Sequence, residues 1–258
     1  MRTQRTAALI SMIMACSVSV PSVAGAAAVS LGHDKHHHKA HFDLQAHRGG
    51  IGERTESSIA SFSHALEVGV STLELDTQIT RDRKVVVTHD RRTNPEVCAD
   101  TAPAVVGDPA FPYVGKFVKD LTLQQLKTLD CGYQQRPGYP EQVNVPGSKM
   151  LELREVFDLV KKYRAWGVTM NIETKEEAGA QGGLITDPAF RPYVTPAMVQ
   201  EAHRRHLTVI PWTVDDPATA QYMIDSGVDG LITNYPGRTR QLLADNGFKL
   251  PRAYRPPS

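Results

Sequence analysis

Residues 46–90 read AHRGGIGERTESSIASFSHALEVGVSTLELDTQITRDRKVVVTHD. Three short apolar runs in this stretch end in chemistry-bearing side chains. Phe42–Ala46 leads into His47 and Arg48, Thr72–Gln78 carries Glu74 and Asp76, and Lys84–His89 ends on a second histidine. Between the first two lies Ser57–Val68, which has helical spacing. Polar residues gathered at the ends of strands that alternate with helices are the layout of a β/α barrel, whose reactive groups sit where the strands end.

Outward from this block the alternation continues. Leu151–Arg164 has apolar residues at Leu153, Val156, Phe157 and Val160, a helical stripe. Val168–Thr174, Thr208–Val214 and Gly230–Thr233 read as strands, and Thr195–His206, Pro217–Ser226 and Arg238–Asn246 as helices. Residues 91–148 form an irregular insertion after the third strand, rich in Pro and Gly, with one short helix around Leu123–Leu129. The expectation is an α/β, TIM-barrel-like fold over residues 42–250, with 251–258 as a tail. Six strands are counted where a closed barrel needs eight, so strands 5 and 6 are expected to be missing.

The chain has 258 residues, 41% of them hydrophobic, enough for one barrel-sized core. Residues 1–28 read as a secretory signal peptide: Arg2 and Arg5 without an acid, an apolar stretch from Thr6 to Val20, and the small residues Ala24-Gly25-Ala26. The apolar stretch is too short for a retained span, so no stable membrane segment is expected after cleavage, and the protein is expected to be secreted. Residues 29–41 hold five histidines and no periodicity. They read as a disordered leader, with metal binding by the imidazoles as the alternative. With 29 basic and 28 acidic residues overall, no field recruits nucleic acid or anionic lipid. Outside the signal peptide, two cysteines remain, Cys98 and Cys131. In an oxidising compartment they read as a disulfide, two buried thiols being the alternative.

Glu74 and Asp76 are two apart on a strand and leave the same face. Two carboxylates on an inward face repel unless a cation lies between them, and an oxygen-only ligand set suits Ca2+ or Mg2+. Glu173, at the end of Val168–Thr174, is the third ligand expected. His47 and His89 suit an acid and base pair, and Arg48 and Lys175 supply fixed positive charge for a phosphoryl group. Taken singly, each has an ordinary structural reading, as a solvated acid, a packed histidine or a surface ion pair. Together they describe metal-assisted phosphodiester cleavage. No G-x-S-x-G elbow and no phosphate-binding glycine loop is present.

At this point the residues resemble a known family, the glycerophosphodiester phosphodiesterases, from about Ala46 to Pro236. His47-Arg48-Gly49 is similar to its H-R-G, Glu74-Leu75-Asp76 to its E-x-D, and His89-Asp90 to its second histidine motif. Leu121-Thr122-Leu123 resembles its L-T-L, Ile172-Glu173-Thr174-Lys175 its I-E-x-K, Trp212-Thr213-Val214 its W-T-V, and Asp229-Gly230-Leu231-Ile232-Thr233 its D-G-I-I-T. The resemblance implies a cation on Glu74, Asp76 and Glu173, acid–base histidines at 47 and 89, phosphate on Arg48 and Lys175, and Trp212 against the glycerol moiety. It also implies attack by the glycerol 2-hydroxyl, a cyclic phosphate opened by water, and release of glycerol 3-phosphate and an alcohol. The chain departs from the family where Thr55-Glu56-Ser57-Ser58 replaces P-E-N-T, leaving Glu56 as a possible support for the metal site. Asn234 stands where an Asp is usual, and the stretch from Lys175 to Thr208 is too short for the usual strand–helix units. Three readings therefore stand: an active secreted phosphodiesterase on glycerophosphodiesters, a defective or non-catalytic relative, and a phospholipase D-like enzyme on intact lipids. Oligomeric state is not legible.

Overall fold

The computed structural model of the protein describes residues 41–175 and 194–257. The expected signal peptide and most of the histidine-rich leader lie outside the described residues, as does Gly183–Thr186, which the sequence reads as at best a strand remnant. Elements run in the order β1 (Asp43–Ala46), α1 (Ile59–Val68), β2 (Thr72–Ile79), β3 (Val85–Val87), α2 (Leu123–Thr128), β4 (Leu151–Glu152), α3 (Leu153–Lys162), β5 (Thr169–Thr174), α4 (Pro196–Arg204), α5 (Pro217–Asp225), β6 (Gly230–Thr233) and α6 (Pro236–Asp245).

β2 is the centre of the sheet. Thr72 and Leu73 register with Gln45 and Ala46 of β1 and also with Thr169 and Met170 of β5, all in parallel, so these two strands occupy opposite edges of β2. β6 continues the parallel wall beyond β1, with Ala46 opposite Thr233. Residues 208–214, expected as a strand, run beside β6 without becoming one. Asp229 N–H donates to the Val209 carbonyl, Ile232 N–H to Pro211 and Val214 N–H to the Ile232 carbonyl. Pro211 has no N–H to give, which interrupts the ladder.

The stretch Lys84–His89 differs from expectation. Only Val85–Val87 is strand, and it pairs antiparallel with β2, Thr77 opposite Val87. The cause is the link between the strands, where Thr80 N–H donates to the Lys84 carbonyl and Arg83 takes φ 60°. So short a connection joins antiparallel neighbours, whereas a parallel crossover needs a dozen or more residues. β3 therefore rides on the rim, with β4 antiparallel beside it. Among the described residues the barrel wall is β5, β2, β1, β6 and the 208–214 segment. Within the described residues the α/β barrel is partial and not closed between β5 and that segment, one wall strand shorter than the sequence count.

Alternation along each strand sorts its side chains. Leu44, Ala46, Leu73, Leu75 and Leu231 point outward into the main apolar core, where they meet Phe62, Ala65 and Leu66 of α1. These three residues share one face of a helix started by a Ser58 cap reciprocated by Ser61 and ended by Gly69 at φ 91°. Val156, Leu159 and Val160 do the same on α3, while Phe157, expected in that stripe, is exposed. Tyr254, in the expected tail, packs into the main core, and its N–H donates to the Leu66 carbonyl.

The inward side chains of β1 and β2 are polar, while Ile210 and Ile232 also line the cavity. Thr72 Oγ1 donates to Asp43, 2.8 Å, Gln45 donates to the same carboxylate, 2.7 Å, and Asn171 donates to Gln45, 3.0 Å. Closed barrels fill this space with branched apolar layers. Here the floor is a hydrogen-bonded network suited to contact with water.

A second apolar cluster lies in the loop-rich stretch after β3. Val86, Tyr113, Val118, Leu121, Leu126, Leu129 and Met150 surround a disulfide between Cys98 and Cys131. Val86 and Val87 leave opposite faces of β3, so this one strand enters both cores. The cross-link closes a 33-residue separation, which in the chain-entropy account stabilises by roughly 3 to 4 kcal/mol. Replacing both cysteines by alanine is expected to lower the unfolding free energy by that amount in urea titrations. A loss under about 1 kcal/mol would transfer the bracing role to the adjoining Ala99–Asp130 backbone bridge.

Candidate active site

β1 ends in a tight turn over His47–Gly50, where Arg48, Gly49 and Gly50 all take left-handed backbone angles, φ 51°, 81° and 97°. At Gly49 a Cβ would stand 2.5 Å from Ser61 Oγ, so only glycine fits against α1. Arg48 occupies a region that costs a non-glycine residue free energy, and the cost is offset by what the turn positions. The Arg48 N–H donates to Glu74 Oε2, 2.8 Å, and the guanidinium meets Glu56 at 2.9 Å and Asp76 at 3.5 Å.

Glu74, Asp76 and Glu173 bring one oxygen each to within 4.8 Å of one another. The first two are buried, and the third is exposed on β5. Burial, then the neighbouring Asp76 charge, pushes the Glu74 carboxyl up to about 7. Asp76 Oδ2 is buried with no hydrogen-bond partner, an expensive condition for a carboxylate oxygen. Lys175 supplies positive charge, its ammonium 3.1 Å from Asp76 and 2.6 Å from Glu173. An orphaned oxygen in an all-carboxylate donor set fits a hard divalent cation.

The two histidines approach from different elements. His47 Nδ1 lies 2.6 Å from Asn234 Oδ1, while its Nε2 stands 3.9 Å from Glu74. Burial first, then the Arg48 charge, lowers His47 to about 4, so the ring is neutral at pH 7. His89 follows β3, and its Nδ1 donates to Asp90, 2.8 Å, whose other oxygen accepts from Asn94, 2.7 Å. The bond from His89 leads the effects that hold the Asp90 carboxyl down at about 2. A neutral imidazole and a carboxylate-backed one suit opposite proton-transfer roles. Both line a cavity of about 840 Å³ in the open barrel mouth, together with Arg48, Glu74, Asp76, Glu173, Lys175 and Trp212. Trp212 is 70% exposed there.

All eight side chains expected to bind metal, move protons or hold substrate thus share one cavity. Residues 47–182 and 173–238 match the glycerophosphoryl diester phosphodiesterase family. The chain belongs to this family. A glycerophosphodiester phosphodiesterase of Caldanaerobacter subterraneus is 25% identical over 265 residues, covering 78% of this chain and 98% of its own. Two solved structures share the fold. One, a glycerophosphoryl diester phosphodiesterase candidate from Silicibacter pomeroyi, has TM-score 0.67 and 22% identity, covering 82% of this chain and 96% of its own. The other is an Oleispira antarctica phosphodiesterase in complex with the product sn-glycerol-3-phosphate, with TM-score 0.57 and 16% identity, covering 78% and 96%. By its family membership this chain is a phosphoric diester hydrolase, a glycerophosphodiester phosphodiesterase.

At this candidate site two expected residues make further contacts. Arg48, expected to hold phosphate, lines the cavity, and its guanidinium is also held by Glu56 and faces Asp76. Glu56 lies outside the acid trio and bridges Arg48 to Arg136, a cation from the irregular insertion. Arg136 carried no sequence signal. Asp215 was also missed, although its place directly after Trp212-Thr213-Val214, at the end of an apolar run, marks it.

Glu74 titrates near 7, so a cation must displace its proton below that pH. Ca2+ added to the EDTA-treated protein is expected to raise the melting temperature little at pH 5.5 and increasingly through pH 8. Glu74→Gln should shrink the increment and flatten its pH dependence. A wild-type increment constant from pH 5.5 to 8 would remove Glu74 from the cation site.

Proposed function

We propose that the protein is a secreted glycerophosphodiesterase that uses Ca2+ or Mg2+ on Glu74, Asp76 and Glu173 to release glycerol 3-phosphate and an alcohol. The observation that carries this reading is the difference between the two histidines facing one cavity beside the acid trio. A cation on these three carboxylates supplies positive charge for the phosphoryl oxygens. Lys175, at the same rim, adds a fixed charge as negative charge grows on phosphorus.

His47, neutral and with its Nε2 toward the acids, accepts the proton of the glycerol 2-hydroxyl. The oxygen of that hydroxyl bonds to phosphorus, the bond from phosphorus to the alcohol oxygen breaks, and His89 delivers its proton to the departing alcohol. The cyclic phosphate is then opened by water with the roles exchanged. His89 takes the proton of the water, and His47 returns its proton to the 2-oxygen. Trp212, exposed at the mouth, offers an apolar face to the glycerol carbons. The open wall leaves this set assembled, which favours catalysis over a defective relative.

Release of glycerol 3-phosphate from glycerophosphocholine, with Ca2+, with Mg2+ and with EDTA, tests the proposal. His47→Ala and His89→Ala are each expected to cost about 10²- to 10⁴-fold in turnover with an unchanged thermal melt. Turnover that survives EDTA would sink the metal role. No turnover from a cooperatively melting wild type would leave a non-catalytic relative, and turnover of diacyl phospholipid or sphingomyelin alone would move the substrate to intact lipids. Secretion predicts that protein recovered from the culture medium begins at Val29. Retention in the cell with Met1 intact would contradict it.

A further inference from the structure

We propose that Asp215 is a positioning residue that fixes the proton of His47 on Nδ1, acting through the side-chain amide of Asn234. Three groups form the chain, and the carboxylate, the one member that can only accept, sets the orientation of the other two. A carboxylate only accepts, so the Asn234 group 2.5 Å from Asp215 Oδ2 is the amide NH2. That orientation turns Asn234 Oδ1 toward His47, 2.6 Å from Nδ1. A carbonyl oxygen also only accepts, so Nδ1 carries the ring proton and the lone pair of the neutral ring lies on Nε2. This is the nitrogen on the side of Glu74.

Asp215 is held for this task. Its Oδ1 accepts from the Asn234 backbone N–H, 2.8 Å, and from Thr233 Oγ1, 3.3 Å. Thr233 and Asn234 are buried, and they close the end of β6 next to β1. With donors on both oxygens, the site calls for two acceptors, and an amide at position 215 supplies one. In Asp215→Asn the new NH2 meets either the Asn234 N–H or the Asn234 NH2. The second clash is relieved when the Asn234 amide turns over. Its NH2 then faces His47 Nδ1, which must accept, and the ring proton moves to Nε2.

Exchanging the two residues restores the pattern. In the double variant Asp215→Asn with Asn234→Asp, the amide introduced at position 215 accepts from the backbone N–H through its oxygen and donates to the carboxylate introduced at position 234. That carboxylate accepts Nδ1–H of His47. Asn234→Asp alone places two carboxylates in contact and is expected to be impaired as well.

The catalytic consequence rests on His47 as the proton acceptor proposed above, whereas the tautomer does not. The test is therefore read twice on the full protein with its disulfide intact. Nitrogen-15 NMR at pH 7.5 in EDTA distinguishes the protonated from the lone-pair nitrogen of His47, and glycerophosphocholine turnover is measured with Ca2+. The wild type is expected to show Nδ1–H, Asp215→Asn to show Nε2–H, and the double variant to return to Nδ1–H. A histidine that loses its tautomer control costs up to about 10⁴-fold in turnover, and Asp215→Asn is expected to cost about 10²-fold, most of it recovered in the double variant. Recovery separates positioning from a general structural defect. A wild type with the proton on Nε2, an Asp215→Asn protein that keeps Nδ1–H, or a double variant that fails to regain it would each overturn the proposal. If Asp215→Asn does not fold, the wild-type and double-variant tautomers still decide. A tautomer switch in Asp215→Asn that leaves turnover unchanged would support the positioning and remove the catalytic reading of His47.

Discussion

Two carboxylates on one face of β2, both buried, set the terms for everything around them. Like charges 4 to 5 Å apart repel by roughly 3 to 4 kcal/mol at an effective dielectric of 20, a large share of the 5 to 15 kcal/mol that holds an average domain together. The surroundings answer this repulsion. Arg48 bends its backbone into the left-handed region and directs both its N–H and its guanidinium at the pair, Lys175 closes on Asp76 and Glu173, and Glu74 holds its proton to about 7. Glu56 in turn anchors Arg48 from behind. Such an arrangement is a poor way to stabilise a fold and a good way to hold a cation. Its structural cost is intelligible only through its chemistry.

The gathering of the candidate residues was legible because its members end apolar runs, and position at the end of a strand is encoded locally. His47, Glu74, Asp76, His89, Glu173 and Lys175 all meet in one cavity as their places in the chain imply. What escaped was partnership over distance. Asp215 and Asn234 are 19 residues apart and meet because residues 208–214 lie along β6, while Arg136 reaches Glu56 from a stretch with no periodicity. The antiparallel setting of β3 was available in the length of its connection to β2, but β-propensity alone does not give strand direction. Pro211 likewise foretold an interrupted ladder in a segment whose apolar pattern argued for a strand.

A wall left open among the described residues threatens to scatter a site, yet this one is built from the strands that are described. The acids and His47 come from the contiguous run β5, β2 and β1, and Asn234 and Trp212 from β6 and the segment beside it. These strands are the ones whose outward faces are packed by α1, α3, α5 and α6. The polar floor of Asp43, Gln45, Thr72 and Asn171 also tolerates water, so an open interior does not strand an apolar layer. No described helix is long and apolar enough to cross a membrane.

The two histidines proposed to transfer protons are hung from different cores. His47 is fixed to the barrel wall, whereas His89 leaves a three-residue strand whose Val86 belongs to the disulfide-braced cluster and whose Val87 belongs to the main one. Proteins open locally at free energies below that of global unfolding. An excursion of the smaller cluster would carry His89 and Asp90 away while leaving His47 and the acid trio in register. Heat inactivation then measures the weaker of two packings, and the molecule can lose its function while most of its fold is still standing.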